Sequence, residues 1–184
     1  MKSLTLTQAR WQSPLGPMTL AATSAGLAGV WFDAQKHHPG ELAAPVDERQ
    51  PWIVQAREQL TAYFAGGLRR FSVPLDLQGT AFQRAVWQVL LGIAAGRTST
   101  YAEVAAQAGS PAAVRAAGAA IGRNPVSIIV PCHRVIGRGG GLTGYAGGLH
   151  RKQALLQLEG AMSFSQRSMP NDQALTAVLA AASR

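Results

Sequence analysis

The sequence changes its periodicity at Gly79, and that change limits the chain to an α+β architecture of two unlike halves. Before Gly79, short apolar runs alternate with turns. Met18–Ala22 and Leu27–Phe32 read as strands, separated by the turn signal Ser24–Gly26. Residues 33–50, with Pro39, Gly40 and Pro45, read as a loop. Pro51 opens a helix at a position where its missing N–H costs nothing. Ile53, Ala56, Leu60, Tyr63 and Phe64 fall on one face of that helix, and Gly66–Gly67 ends it. Phe71, Val73, Leu75 and Leu77 alternate with other residues and predict a strand, which Pro74 confines to a sheet edge or makes a departing one.

After Gly79 the signals are helical. Thr80 with Gln83, and Thr100 with Glu103, are capping boxes, in which the hydroxyl caps the backbone and the third residue reaches back. The first precedes the apolar stripe Phe82, Val86, Val89, Leu90 and Ile93. The second opens a short helix, Tyr101–Gln107, which stops at Gly109. Ser110–Pro111 predicts another helix, with Ser as cap and Pro in the first turn. Two short helices about a tight Gly-containing turn are the pattern of a helix-turn-helix. Ser127–Val130 is a short β-branched run ending at Pro131. Residues 137–148 hold seven glycines in twelve positions and read as a loop. His150–Leu158 is helical again. From Ser163 the chain turns polar, then reaches an Ala-rich stretch, Ala174–Ala182, expected to be a terminal helix or disordered.

Composition removes several classes. One cysteine, Cys132, rules out a disulfide scaffold. No run reaches the ~18 apolar residues that a membrane-spanning helix needs. The opening residues carry no apolar core of a signal peptide. A soluble, cytoplasmic protein with no membrane partner is expected. Charge is uneven between the halves. Residues 1–78 hold seven bases and six acids, whereas residues 79–184 hold ten bases and three acids. Only three of the 17 basic residues are lysine, and arginine makes planar, bidentate contacts with phosphate. A basic second half points to a polyanion, or simply to a solubilising surface.

Cys132 lies between an apolar run and a basic, Gly-rich loop. A thiol turns nucleophile when positive charge or a base favours its thiolate. His133 and Arg134 follow it, although adjacency alone proves nothing, and a free cysteine is most often a small buried hydrophobe. The segment after Ser110 is slim, with Ala112, Ala113, Ala116, Ala117, Gly118, Ala119 and Ala120. Such a helix can approach another helix, or nucleic acid lying in a groove. Only Arg115 projects far enough to read base edges, so any nucleic-acid binding should carry little sequence specificity. Gly139 to Gly144 matches a dinucleotide-binding pattern, but no helix opens inside it and the strands and helices do not alternate. His37–His38 could bind metal, yet no cluster supports it.

Ile129-Val-Pro-Cys-His-Arg-Val-Ile136 resembles the active-site signature of the O6-alkylguanine-DNA alkyltransferases, the methylated-DNA–protein-cysteine methyltransferases. Gly79-Thr-Ala-Phe-Gln83 with Val86-Trp87, Thr100-Tyr101, Arg115 through Asn124-Pro125, Tyr145-Ala-Gly-Gly-Leu149 and Leu158-Glu-Gly160 extend the match. It is looser over residues 1–78, through Ser13-Pro-Leu-Gly16 and Gly26-Leu-Ala-Gly29, and does not cover the tail. The resemblance implies a small N-terminal antiparallel sheet with a helix (1–78), packed on a mainly helical, winged-helix-like domain (79–163), followed by a tail (164–184).

It also implies roles. Cys132 accepts the alkyl group from guanine O6 in one irreversible step. His133 acts as base through a water, and Glu159 orients it. Asn124 is the hinge that ties the helix-turn-helix to the active-site segment. Tyr101 donates a proton to guanine N3. Backbone groups of Cys132, Val135 and Ala146 meet the base, and Tyr145 forms a pocket wall. The family commonly has Ser where Ala146 stands, with little expected loss because the contact is a backbone N–H. The slim helix enters the minor groove through Ala113, Gly118 and Tyr101, and Arg115 replaces the flipped nucleotide in the stack. No cofactor and no metal are implied. The implied partner is duplex DNA carrying O6-alkylguanine, with O4-alkylthymine a second candidate substrate. The protein is expected to be a monomer that could assemble cooperatively on DNA. The alternative is a non-catalytic lesion sensor of the same fold.

Overall fold

Thr7–Ser13 (β1), Gly16–Ala22 (β2) and Leu27–Phe32 (β3) form an antiparallel meander in that order. The β1–β2 hairpin is closed by Ser13, whose Oγ donates to the Gly16 carbonyl at 2.7 Å and accepts from Leu15 N at 3.1 Å. The hydropathy pattern does not reveal β1, an edge strand of mostly polar residues that buries only Ala9 and Ser13. The computed structural model describes residues 5–162; Ala174–Ala182 and the rest of the tail lie outside them.

Pro51–Phe64 (α1) packs on this sheet. Gln50 caps it, its Oε1 accepting from Trp52 N and Ile53 N. The expected face is the one buried, namely Ile53, Ala56, Leu60, Tyr63 and Phe64. Each large apolar side chain removed from water there contributes about 1.5–3 kcal/mol. The expected strand over Phe71–Leu77 is only an extended segment. Leu27 N reaches the Pro74 carbonyl at 2.8 Å and Asp76 N reaches the Leu27 carbonyl at 2.9 Å, a single bridge. Pro74 has no N–H with which to continue a ladder.

Four further helices follow, Ala81–Leu91 (α2), Tyr101–Gln107 (α3), Val114–Gly122 (α4) and Leu149–Leu158 (α5). Both capping boxes form as read, with Thr80 and Gln83 on α2 and Thr100 and Glu103 on α3. The start of α4 differs from expectation. Ser110–Pro111 lies in the preceding turn, Ala113 is the N-cap and no side chain caps the helix. Ser110 instead uses its carbonyl, which accepts Ala113 N at 2.9 Å. Ala117, Ala120 and Ile121 turn inward, and Trp87 Nε1 of α2 donates to the Ala120 carbonyl at 2.9 Å. A two-residue strand, Ser99–Thr100 (β4), pairs in parallel with Val135–Ile136 (β5).

The two halves meet along the free edge of β3. Val30 N donates to the Pro125 carbonyl and Ser127 N to the Val30 carbonyl, both at 2.9 Å. Ser127 Oγ also bonds Gln35 Oε1 at 3.1 Å. The β-branched run Ser127–Val130 is thereby bent. Ile128 sits at φ 73°, a conformation that costs a β-branched side chain roughly 1–3 kcal/mol. The bend leads directly into Pro131 and the buried Cys132. Among the described residues no helix is long and apolar enough to cross a membrane.

Candidate active site

Cys132, His133 and Arg134 form one 3₁₀ turn, and all three are buried. Asn124, just past the end of α4, holds this turn from below. Its Oδ1 accepts Val126 N at 3.0 Å, while its Nδ2 donates to the Val130 carbonyl at 2.7 Å and to Cys132 Sγ at 3.0 Å. One amide therefore ties the helix-turn-helix, the bend and the sulfur together. Burial pushes the thiol above its ordinary range, against the bond from Asn124 and the charge of Lys152. The resting sulfur is a thiol, and a proton must leave before it attacks.

His133 is fully buried. Its Nε2 lies 2.9 Å from Glu159 Oε1, at the C-terminal cap of α5. Burial holds the imidazole below its usual range, with Glu159 pulling the other way. Glu159 is held well below the usual carboxylate range by the bonds from His133 and Arg134, which outweigh its own burial. A neutral ring facing an ionised carboxylate donates from Nε2. That leaves Nδ1 bare, and it has no hydrogen-bond partner among the described residues. An unprotonated ring nitrogen on the residue that follows a buried thiol is a candidate base.

Three members of this cluster are not evident from sequence. Arg134 grips Glu159 with two bonds, Nε to Oε2 at 2.8 Å and Nη2 to Oε1 at 2.7 Å, and also donates to the Ile93 carbonyl. A signal for this pair exists. The second half has three acids, Glu103 is spent in its capping box, and among the described residues that leaves Glu159 for a buried cation. Tyr63, from α1, donates its hydroxyl to Glu159 Oε1 at 2.8 Å. Lys152 of α5 is buried and donates to the carbonyls of Val135 and Thr143, the latter at 2.7 Å. Burial lowers it to about 8.

A cleft of about 430 Å³ opens between α3, α4 and the loop at Tyr145, lined by Lys36, Tyr101, Gly118, Arg123, Tyr145 and Ala146. Tyr101, the first residue of α3, donates to the Thr143 carbonyl at 2.9 Å. Burial raises its hydroxyl above the ordinary range, so it keeps its proton. Tyr145 Oη is buried and unpartnered among the described residues. The Ala146 carbonyl accepts Lys36 N at 2.8 Å, which fixes the loop to the N-terminal half. Val135 already gives its N–H to the Cys132 carbonyl and its own carbonyl to Lys152, and that carbonyl keeps a second lone pair. Gly147 is required by crowding, since a Cβ there would lie 2.6 Å from the Tyr145 ring. Val114, Arg115, Ala116 and Ala119 are exposed on α4, with Arg123 exposed at its C-cap, Gly118 half-buried against Tyr101 and Ala113 at its N-cap. Among the described residues no three of His, Cys, Asp and Glu gather around one metal position.

Fold and site define a class of α+β proteins in which a single buried thiol, backed by histidine and carboxylate, lies directly behind a helix-turn-helix. Residues 6–77 match the ribonuclease-like domain, and residues 81–161 the DNA-binding domain, of 6-O-methylguanine DNA methyltransferase. A methylated-DNA–protein-cysteine methyltransferase from Mycobacterium bovis is 50% identical over 147 residues, covering 80% of this chain and 88% of the relative. One from Methanosarcina acetivorans is 48% identical over 151 residues, covering 82% and 96%. A crystal structure of the Mycobacterium tuberculosis protein OGT in complex with DNA superposes with a TM-score of 0.78 at 48% identity, covering 83% of this chain and 92% of that one. The chain belongs to the 6-O-methylguanine DNA methyltransferase family.

Proposed function

We propose that this protein repairs DNA by moving the alkyl group of an O6-alkylguanine in duplex DNA onto its own Cys132. The observation that carries this reading is one buried turn on which Asn124 donates to Cys132 Sγ and Glu159 holds the next residue, His133, at the foot of a bare helix. The lesioned nucleotide leaves the stack and enters the cleft beside Tyr145, which costs about a few kcal/mol and less for a weakened pair. His133 Nδ1 takes the thiol proton through a water. Sulfur attacks the alkyl carbon, an S–C bond forms and the O6–C bond breaks. Tyr101 gives its proton to guanine N3, so the base leaves neutral. The imidazolium and the tyrosinate then neutralise each other, and the net transfer is one thiol proton to guanine and one alkyl group to sulfur.

Nothing in this sequence of steps restores the thiol, so each molecule acts once. Ionised Glu159 stabilises the imidazolium in the step where it forms, the orienting role of a third group. Arg115 fills the gap left in the stack, and the small side chains of α4 let the helix lie close to the groove floor. Duplex DNA is the partner that this face and the basic second half fit.

Intact-protein mass spectrometry with a duplex holding one O6-methylguanine tests the reading. The expected result is a gain of one methylene, mapped to Cys132 and stopping at one per protein. An unchanged mass with the lesion duplex still tightly bound would instead establish a lesion sensor.

A further inference from the structure

Glu159 holds more than a histidine. Its Oε1 accepts three bonds, from Tyr63 Oη at 2.8 Å, His133 Nε2 at 2.9 Å and Arg134 Nη2 at 2.7 Å. The alkyl-transfer steps make no use of Tyr63. It stands on α1, 96 positions from Glu159 and in the other half of the chain. Its ring is buried against Phe64 and Phe71, with centroids at 5.4 Å in each case. Phenylalanine would fill that packing equally well. The hydroxyl therefore needs its own reason, and Glu159 is its partner. Burial and the adjacent carboxylate push the hydroxyl well above its usual range, so it stays protonated and always donates.

We propose that Tyr63 is a positioning residue of the alkyl-transfer site, whose hydroxyl fixes Glu159 and limits how strongly that carboxylate holds a proton on His133. The proposal rests on the alkyl-transfer reading above. His133 can receive the thiol proton only while its ring is neutral. A carboxylate with all its basicity free would favour the imidazolium at rest and remove the base. Arg134 and Tyr63 divide that basicity. The groups facing His133 are Glu159 and Lys152 of α5, Arg134 and Cys132 of its own turn, and Tyr63 of α1 acting through Glu159. Arg134 already donates to both Glu159 oxygens, so it cannot replace a lost hydroxyl. Without Tyr63 Oη the pull of Glu159 on His133 strengthens, the ring protonates at higher pH and the acid side of the rate profile moves up. Through this bond the N-terminal half reaches the Glu159 carboxylate, while Arg69 reaches its backbone carbonyl at 3.4 Å.

The test compares the full-length protein with Tyr63→Phe in two readouts across pH, the single-turnover rate of Cys132 alkylation by free O6-benzylguanine and the titration of His133 by NMR. The expected result is an upward move of both midpoints by roughly half to one pH unit, with a smaller change in the rate on the plateau. Site-specific incorporation of a fluorinated tyrosine at position 63, a stronger donor of the same shape, should move both midpoints down. Unchanged midpoints in both variants, or a rate loss equal at every pH, would overturn the proposal and leave Tyr63 a packing residue. If neither protein is alkylated, by free O6-benzylguanine or by a duplex holding O6-methylguanine, the alkyl-transfer reading fails, while the His133 midpoints still decide the role of Tyr63.

Discussion

Helix α4 and the turn Cys132–Arg134 are near neighbours in the chain and are built by opposite rules. The exposed residues of α4 are Val114, Arg115, Ala116 and Ala119, followed by Arg123 at its C-cap, and its N-cap, Ala113, makes no side-chain bond. The turn is wholly buried, and its side chains are tied to Asn124, Glu159 and Ile93. A surface that must lie against any sequence of a shaped polyanion gains from being bare. A site that must move one proton at a set moment gains from having its polar atoms held in place. The buried site needs partners from distant positions, and the surface needs none.

If the turn is held by its bonds, breaking the most heavily used group has the largest effect. Glu159→Gln removes the charge and leaves Arg134, only 6% exposed, without its counter-ion. Urea unfolding should show a loss of about 3–5 kcal/mol, the usual consequence of orphaning one member of a buried pair. The folded fraction should also alkylate Cys132 more slowly. A loss below about 1 kcal/mol, the range of exposed pairs, would mean that the turn stands without this network and would erase the contrast with α4.

The smaller effect sharpens the contrast from the other side. Arg115→Ala touches only the bare face, so stability and reaction with free O6-benzylguanine should be unchanged. Transfer from a duplex should slow by roughly ten- to a hundredfold, because the flipped state loses a filler worth about 1.4–3 kcal/mol. Parallel single-turnover assays on the two substrates measure this. Equal slowing of both would place Arg115 in the chemistry rather than in the groove.

The same contrast explains which parts were legible in the sequence. Local rules worked where local bonds decide. The buried face of α1 and both capping boxes are found as read, since periodicity and capping involve residues within a turn of each other. The Ala- and Gly-rich stretch pointed to a slim helix, because bareness is itself a composition. Readings failed where a partner from elsewhere prevails. Ser110 yields its capping role to a turn, and α4 starts uncapped at Val114. The strand expected over Phe71–Leu77 shrinks to one bridge because Pro74 cannot continue it. Ser127–Val130, read only as a β-branched run, has a bend at Ile128 that its composition does not announce, held by β3 on one side and Asn124 on the other. In the site, the motif around Cys132 marked the sulfur and its histidine. The hydroxyl of Tyr63 gives no such sign, because a tyrosine on a buried helical stripe looks like core.

The most direct test of a buried acceptor behind a separate binding surface is Cys132→Ala, assayed for both binding and transfer on a duplex with one O6-methylguanine. Binding should match that of the unaltered protein and transfer should be absent, because Cys132 is only 5% exposed and forms no part of the face of α4. Surviving transfer, or binding lost together with it in a folded protein, would contradict the account.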